Sequence, residues 1–422
     1  MLLKKRIGLV SGLVVLLAVL ITLTSYGSQD RPERSELVIG VITDAVTNYN
    51  ICQSRGALLA LEEIDEKGGI LGRRIRVVVE DDREGDPSTS IESCITAVEK
   101  LITGDKADII IGTWRSEFAL AAANTASRYK KISFVGGATS VLGDNVEKNY
   151  EKFKYFFKIH GWPNIKTSAM VWKEWIEHLM QRLEKEGKPI TICLVGDTTH
   201  FSTRSMDLTA GILTDAGAKV VGKVRMPFRA VDVATELSKV RKSGASYVIV
   251  LLGGGPSSYA FARQYYDLRL PMPILGAPSP AQSEPDWLGV TDGKGRWWVC
   301  TGWFSWPPPR FGGAEEFLEN FRARWGHNPA GLACGAYETI YALKAAIEKA
   351  NSFETEKVVK ALEEVKIKGI SKPFVHWNQR HETPHPWGGG LMMQWQGHDK
   401  LVTVYPPEYA SGELILKAPC EK

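Results

Sequence analysis

Short apolar runs alternate with helical patterns along most of this chain, and this alternation limits the possible folds more than any other feature. It is clearest from Asp108 to Thr139, where two strand-like runs, Ile109–Ile111 and Ile132–Val135, flank an Ala-rich helical stretch. Strands that alternate with helices form a parallel sheet covered by helices. The turns after both strands then lie at the carboxyl edge of the sheet, where N–H groups and hydroxyls can meet a small ligand. We interpret residues 108–139 as half of a ligand-binding floor with no catalytic role.

The alternation occurs in two successive units, and a chain of 422 residues has room for two domains. The first unit ends near Val141 and the second near Leu275. Three consecutive helical patterns then precede two closing strand patterns. We predict an α/β fold of two doubly wound parallel-sheet lobes joined by a three-strand hinge. The predicted boundaries are 37–158 plus 303–368 for lobe I and 159–302 plus 369–417 for lobe II.

The N-terminus has the features of an export signal. Three basic residues within the first six precede the apolar run Ile7–Leu23, and a small-x-small triplet ending at Gly27 follows. This order is typical of a cleaved secretory signal peptide, and the length of the run leaves an uncleaved membrane anchor as the alternative. We assign residues 1–28 to the signal peptide or anchor and 29–36 to a tether. The rest of the chain is expected to lie outside the cytoplasm, in the periplasm or at the cell surface.

Charge and motif content argue against several functions. The net charge of +4 falls to +1 without residues 1–27, which hold three basic residues and no acid, so nothing indicates nucleic-acid binding. Gly253–Ser258 lacks the lysine of a phosphate loop and the spacing of a dinucleotide site, so no cofactor is predicted. The six cysteines show no metal-ligand spacing, and no disulfide pairing follows from them. Four acids between Asp81 and Asp86 are interpreted as a strand end and a helix cap. Four histidines also lack the spacing of a metal site, namely His376, His381, His385 and His398.

One segment carries a family resemblance. The sequence GGILGRRIRVVVEDDREGDP, residues Gly68–Pro87, resembles the branched-chain amino acid (Leu/Ile/Val) type of periplasmic solute-binding proteins of ABC transporters. The resemblance extends over Leu37–Leu142 and returns at Val402–Pro419. It implies a type I periplasmic binding protein fold, whose hinged lobes close on a small polar ligand and deliver it to a membrane permease.

The resemblance also implies ligand-binding residues. In amino-acid-binding relatives, a serine after the third strand and a threonine after the fourth hold the ligand, and Ser116 and Thr139 match them. Gly137 offers a main-chain carbonyl, and Tyr49 matches an aromatic residue that lines the cleft. Phe201 falls where relatives have a tyrosine from the second lobe. Ser116 and Thr139 equally suit the role of helix caps.

Two departures from the family pattern concern the ligand. Gly276–Pro280 lacks the acidic residue that relatives use for an ammonium group, and Glu284 is nearby but out of register. Gly253–Ser258 has glycine where relatives have a second aromatic residue. An α-amino acid is therefore not the required ligand.

The turn Thr113–Glu117 is similar to the urea- and amide-binding branch of the family, in which a Trp precedes the hydroxyl residues. Trp114 is interpreted either as a stacking wall or as core packing. Arg115 favours a carboxylate or another anion if it faces the cleft, and it is otherwise a surface charge.

These observations predict a non-enzymatic, extracytoplasmic solute-binding protein of an ABC importer. Its ligand would be a small polar metabolite: a branched-chain or other amino acid, an amide or urea-like compound, or a small carboxylate. The expected partners are this ligand and ABC transporter permease subunits, with membrane contact through the N-terminus if it is uncleaved. One alternative is a ligand-sensing ectodomain anchored by residues 7–23. Another is a secreted hydrolase that uses the His-rich C-terminal segment.

Overall fold

The structure, a computed structural model, describes most of the chain that follows the N-terminal segment. The described residues are 35–421 except 45–47, 87, 138, 162–163, 186, 188–189, 254–255, 277–279, 303, 307–310, 385–389 and 399. The predicted signal peptide or anchor therefore lies outside the described residues. Within them, no helix combines the length and apolar character needed to cross a membrane.

The first half of the chain forms a five-stranded sheet. Its strands are β1 (Glu36–Thr43), β2 (Arg74–Asp81), β3 (Ile109–Gly112), β4 (Ile132–Val135) and β5 (Phe156–Lys158). They are ordered β2-β1-β3-β4-β5, and β1, β3, β4 and β5 run parallel. Every residue of β3 and β4 is buried, as expected for parallel strands covered on both faces.

Helices connect these strands as the sequence pattern predicts. They are α1 (Asn48–Glu66), α2 (Ile91–Glu99), α3 (Ser116–Arg128), α4 (Val141–Lys148) and α5 (Tyr150–Phe153). A π-helical turn, Lys100–Gly104, extends α2 and was not predicted.

The second half repeats the arrangement with four parallel strands. They are β6 (Thr191–Asp197), β7 (Lys219–Met226), β8 (Tyr247–Leu251) and β9 (Ile274–Gly276), in the order β7-β6-β8-β9. The associated helices are α6 (Ile165–Lys185), α7 (His200–Asp215), α8 (Ala234–Lys242), α9 (Pro256–Asp267), α10 (Pro280–Ser283) and α11 (Trp287–Val290). Two sheets with this topology confirm the predicted α/β class of two doubly wound units.

The last third combines helices with antiparallel strands. Its elements are β10 (Val299–Gly302), α12 (Ala314–Trp325), α13 (Gly331–Ala350), α14 (Thr355–Glu364), β11 (Ile367–Lys368), β12 (Phe374–Val375), β13 (Leu391–Gly397) and β14 (Lys400–Tyr405). β13 pairs antiparallel with both β10 and β14 in a separate sheet. β11 and β12 form a small antiparallel pair.

The helices of this last third return to the first half of the chain. A Cβ added to Gly56 in α1 would lie 1.9 Å from the carbonyl oxygen of Ala333 in α13, so the absence of a side chain permits this close helix contact. The hydroxyls of Tyr337 and Tyr341 each donate to Glu63 at 2.6 Å. Packing against α1 therefore fixes α13 beside the first sheet.

The segment after β12 also lies beside the first sheet. The indole Nε1 of Trp377 donates to the carbonyl of Lys158 at 2.7 Å, and the Lys158 N–H donates to the carbonyl of His381 at 2.9 Å. The lobe boundaries remain a prediction. These contacts lead us to propose that the chain's last crossing between the halves follows residue 381, later than the predicted 368/369 boundary.

Candidate functional site

The two turns of the predicted floor, residues 113–116 and 136–139, touch each other. The Gly136 N–H donates to the Thr113 carbonyl at 3.2 Å. Gly137 has a φ of 79°, and a Cβ placed there would lie 3.2 Å from the Cα of Ser116 and 3.3 Å from the Trp114 carbonyl oxygen. Glycine therefore permits both the left-handed backbone and the close approach of the two turns.

Ser116 is the most available hydrogen-bonding group of the floor. It is the first residue of α3 and is half-buried. Neither its backbone N–H nor its hydroxyl bonds to any residue that the structure describes. The capping interpretation therefore does not hold for this hydroxyl, because the N-cap position is Arg115 and has no side-chain cap bond.

Thr139 has a structural role in the same floor. Its hydroxyl accepts the N–H of Val141 at 3.2 Å, which supports the start of α4. Its carbonyl oxygen accepts a hydrogen bond from the buried Lys158 ammonium, also at 3.2 Å. The N-cap position itself is Ser140, so Thr139 supports the first turn without being the cap, and its role in ligand binding stays a prediction.

Glu84 is a residue of this site that the sequence did not reveal. Its carboxylate accepts the N–H of Trp114 at 2.9 and 3.0 Å and the N–H of Arg115 at 2.9 Å. It thus occupies the positive N-terminus of α3, where an anionic ligand could otherwise bind. Burial, and then the charge of Asp82, raises the pKa of Glu84 well above its ordinary value despite these N–H donors.

Two further buried acids lie next to Glu84. Asp44 and Asp82 are fully buried after β1 and β2, and Asp82 accepts the Glu84 N–H at 3.1 Å. Burial, and then the nearby Asp44, raises the pKa of Asp82 to about 7. No three His, Cys, Asp or Glu residues within the described part of the chain are arranged to hold a metal ion. Asp82 and Glu84 therefore form a protonatable pair beneath the floor.

Arg115 is paired within its own turn. Its Nε donates to Glu117 at 2.9 Å, and its Nη1 donates to the carbonyl of Glu84 at 3.0 Å. The guanidinium carbon also lies 4.7 Å from the centre of the Phe118 ring. Because Glu117 balances its charge, Arg115 is not an isolated cation in this structure, and its role in anion binding stays a prediction.

The three predicted aromatic ligand-binding residues lie in, or directly before, the first turn of a helix. Tyr49 belongs to the first turn of α1, but its side chain is outside the described residues. Phe201 is half-buried in the first turn of α7, directly after β6. Trp114 is half-buried, a position compatible with either of its two interpretations. The roles assigned to these three aromatic residues stay predictions.

Two acids not assigned from the sequence lie in the second half of the chain. Asp197, at the end of β6, is buried and accepts the N–H groups of Gly253 at 2.6 Å and Thr199 at 2.8 Å. Glu284 is also buried, and its charge, after the larger effect of burial, helps raise the pKa of Cys52 in α1 to about 12. Glu284 therefore faces the first half of the chain.

A second contact joins the two halves at the rim. Arg229 Nη2 follows β7 and lies 3.2 Å from Oδ1 of Asp86, which follows β2. Asp86 also accepts the N–H of Ser88 at 2.9 Å, but the interpretation of this acidic run as a helix cap is wrong, because Ser90 caps α2, which begins at Ile91. The loops at the carboxyl ends of both sheets thus approach each other.

The histidines and cysteines considered in the sequence analysis lie in different parts of the fold. The imidazole of His381 stacks on Phe157 with 4.1 Å between ring centres, and its Nδ1 lies 2.7 Å from the carbonyl of Phe156. His398 lies 4.0 Å from Asp286, while His385 is outside the described residues. All six cysteines are free.

Comparisons with known proteins agree on one family. A family model described as periplasmic binding protein matches residues 36–412. Leu/Ile/Val-binding protein homolog 7 of Brucella suis is 25% identical over 375 residues, which cover 86% of this chain and 89% of that protein.

Solved structures show the same fold. The branched-chain amino acid transporter substrate binding protein LivJ of Streptococcus pneumoniae, in complex with isoleucine, aligns with a TM-score of 0.70 at 15% identity, covering 87% of this chain and 99% of that chain. A solute binding protein of Rhodopseudomonas palustris, in complex with benzoate, aligns with a TM-score of 0.70 at 15% identity, covering 90% and 98%.

Proposed function

Since this chain belongs to the periplasmic binding protein family, we propose that it is the extracytoplasmic, non-enzymatic binding component of an ABC importer. In this proposal, it captures a small polar metabolite between the two halves and presents it to permease subunits. The observation that carries the proposal is the contact between the turns at Ser116 and Gly137, at the carboxyl edge of the first sheet. Ligands of open α/β sheets bind at this edge.

Ser116 supports a specific contact. Its hydroxyl and backbone N–H can together bind one acceptor oxygen of a ligand, from a carboxylate or an amide alike. Glu84 already uses the N–H groups of the two preceding residues, so Ser116 supplies the first donors of α3 that a ligand can reach. The bound proteins cited above carry isoleucine and benzoate, and both of these ligands contain such an oxygen.

The contacts between the halves support a closure mechanism. A ligand that touches both halves favours the closed arrangement by its higher affinity for that arrangement. The Arg229–Asp86 pair at the rim joins the loop after β7 to the loop after β2, so it requires the two loops to be close together. An exposed pair of this kind contributes little by itself, so the ligand supplies most of the closing energy.

The test is a thermal-shift series with the wild type and the double variant Ser116→Ala, Thr139→Ala. The ligands are leucine, isoleucine, urea, acetamide and benzoate. A ligand at a hundred times its Kd stabilises the wild type by about 2.7 kcal/mol, and we expect the double variant to lose this gain while remaining folded. Thr214→Ala is the matched control, since this exposed hydroxyl donates only to Ala210 within α7.

Retention of the full shift by the double variant would refute the assignment of the floor. Isothermal titration with the same five ligands then identifies the preferred class. An enzymatic role would be indicated instead if a bound ligand were recovered chemically altered after incubation.

A further inference from the structure

A cavity of about 240 Å³ lies between α6 and the turn Pro407–Tyr409 that follows β14. Ser371, Lys372, the start of β13 and the end of β14 complete its walls. The residues predicted to bind ligand at the floor do not line it. Because pockets for drug-sized ligands are typically about 300–1,000 Å³, this cavity suits a smaller molecule.

Lys372 is the buried charged residue of this lining. It is 2% exposed, whereas Glu174 is half-buried and Glu408 is exposed. An ammonium group has three N–H donors, and buried donors are almost always hydrogen-bonded. Nζ of Lys372 has no hydrogen-bond acceptor among the residues that the structure describes. The ammonium can therefore donate to an acceptor oxygen that enters the cavity.

Glu338 balances the charge of Lys372 without accepting its hydrogen bonds. Nζ of Lys372 lies 3.7 Å from Oε2 of Glu338, which is beyond hydrogen-bond distance. The carboxylate instead accepts the N–H groups of Ile370 at 2.7 Å and Ser371 at 3.0 Å. It also accepts the Ser371 hydroxyl, at 3.2 Å on one oxygen and 3.1 Å on the other. Neutral donors thus hold Glu338 in place, and the donors of Lys372 are left for another acceptor.

The charges around the cavity favour an uncharged occupant. Glu338 already balances Lys372, and the other charged residues of the described lining are the acids Glu174 and Glu408. Burial, followed by the charges of these two acids, raises the pKa of Tyr405. An anion would lose its hydration and meet this negative potential. A carbonyl oxygen of a neutral molecule can accept from the ammonium without either penalty.

The remaining walls suit the rest of such a molecule. Val171, Leu391, Pro406 and Pro407 form an apolar surface that can cover a short hydrocarbon body. The phenol of Tyr405 also lines the cavity, and a phenol can both donate and accept a hydrogen bond. An amide group, which has a carbonyl oxygen and N–H donors, matches both the ammonium and the phenol.

We propose that this cavity is a second small-molecule site, which takes a small uncharged carbonyl compound such as a primary amide with a short apolar body. The carbonyl oxygen accepts a hydrogen bond from the ammonium of Lys372. The hydrocarbon body lies against Val171 and Leu391. The site is separate from the floor at Ser116, so it does not depend on the proposed transport function.

The first test is an NMR titration of the purified protein with propionamide. Propionate and butylammonium serve as charged compounds of nearly the same size. We expect saturable binding of propionamide, at least about tenfold weaker binding of both ions, and a shift of the Lys372 ammonium signal. Nuclear Overhauser contacts should join the methyl group of propionamide to the methyl groups of Val171 and Leu391.

The second test removes the donor. The double variant Lys372→Met, Glu338→Gln loses the ammonium and its counter-charge together, so no unpaired charge stays buried. The Kd for propionamide should rise about tenfold or more, as expected for the loss of a hydrogen bond from a charged group. Lys368→Met is the matched control, because it removes an ammonium from an exposed position of β11 outside the cavity, and it should bind like the wild type. The contacts observed in the wild-type protein test the proposal even if the double variant does not fold.

Four outcomes would overturn the proposal. The first is no saturable binding of propionamide, which would mean that the cavity holds only water. The second is tighter binding of propionate, which would indicate an anion site. The third is an unchanged Kd in the folded Lys372→Met, Glu338→Gln variant. The fourth is loss of propionamide binding in the Ser116→Ala, Thr139→Ala variant, which would place the amide at the floor. Because that last variant separates the two sites, failure here leaves the proposed floor function untouched.

Discussion

Two buried glutamates in this molecule accept similar hydrogen bonds from backbone N–H groups, but their pKa values are shifted in opposite directions. Glu84 at the floor accepts the N–H groups of Trp114 and Arg115, and Glu338 in α13 accepts those of Ile370 at 2.7 Å and Ser371 at 3.0 Å. The pKa of Glu84 is raised well above its ordinary value, whereas that of Glu338 is lowered to about 2. Backbone donors alone therefore do not decide whether a buried carboxylate is charged.

The neighbouring charges decide it. Burial, the largest single effect, would raise the pKa of Glu338, but Lys372 at 3.7 Å, the His160 ring and the Ser371 N–H together overcome it. The His160 ring lies 3.6 Å from Glu338, and burial, followed by the charge of Lys372, lowers the His160 pKa to about 4. The ring is thus uncharged at neutral pH, and Lys372 supplies the positive charge. Near Glu84 the charges of Asp82 and Asp44 add to the effect of burial, and Arg115, which donates to the Glu84 carbonyl, has its ion pair with Glu117.

The group around Glu338 therefore stabilises the fold with fixed charges, whereas the region near Glu84 contains a carboxyl group that can change its protonation. Asp82 beneath the floor can take up or release a proton near neutral pH. The group of Glu338, Lys372 and His160 keeps its charges fixed until the pH becomes strongly acidic. Three variants test this distinction.

The largest effect is expected for Glu338→Gln. Removal of one member of a buried ion pair leaves Lys372 charged without its partner, which typically costs about 3–5 kcal/mol in the free energy of unfolding. Urea unfolding at neutral pH measures this loss. The matched control is Glu348→Gln, which alters an exposed pair with Lys344 on the same helix and should have a much smaller effect. Equal effects of the two variants would contradict the assignment of Glu338.

A pH-dependent effect of intermediate size is expected for Asp82→Asn. The folded-state pKa of Asp82 is about 7 against an ordinary value of 3.8. Its contribution to stability is therefore present below 3.8 and is lost as the pH rises towards 7. Since asparagine does not titrate, the variant should gain about 2–4 kcal/mol relative to the wild type over this range.

Urea unfolding of both proteins across this pH range measures the change. The contribution of Glu338 to stability has the opposite pH dependence. It is present above pH 4.5 and is lost as the pH falls towards 2. A wild-type to Asp82→Asn difference that stays constant with pH would show that Asp82 does not hold a raised pKa.

The smallest effect is expected for Glu84→Gln. The amide oxygen can still accept the N–H groups of Trp114 and Arg115, and glutamine is uncharged, as Glu84 is while its pKa lies well above the ordinary value. We expect a change within about 1 kcal/mol in the free energy of unfolding at neutral pH. The pKa of Asp82, followed by NMR of its carboxyl carbon, should stay raised, because burial and the charge of Asp44 cause its shift. A loss as large as that of Glu338→Gln would mean that Glu84 is charged in the folded protein.

Part of the floor could be predicted from the sequence. The apolar runs at β3 and β4 place Gly112 and Gly136 at one sheet edge, and the structure brings Ser116 and Gly137 into contact there. Glu84 could not be found in this way, because it is 30 residues from Trp114 and nothing in the acidic run identifies which turn it reaches. The pairing of Arg115 with Glu117 depends on side-chain conformation, which the strand and helix patterns do not specify.

The ion group of Glu338, Lys372 and His160 had a weak sequence signal. Glu338 stands on the apolar face of α13 between buried residues such as Cys334 and Ala342. A charge at such a position requires a partner. The sequence does not identify that partner, since His160 and Lys372 come from distant parts of the chain.

The sequence by itself determined the alternating α/β pattern, the two repeated units and the turns that face a ligand. Those features follow from local periodicity and from the geometry of parallel strands. Only the tertiary structure decided which carboxylates carry charge, that Glu84 fills the N-terminus of α3, and that Arg115 is balanced by Glu117. The reason is physical: burial and electrostatic interaction depend on distances between groups that are far apart in the chain.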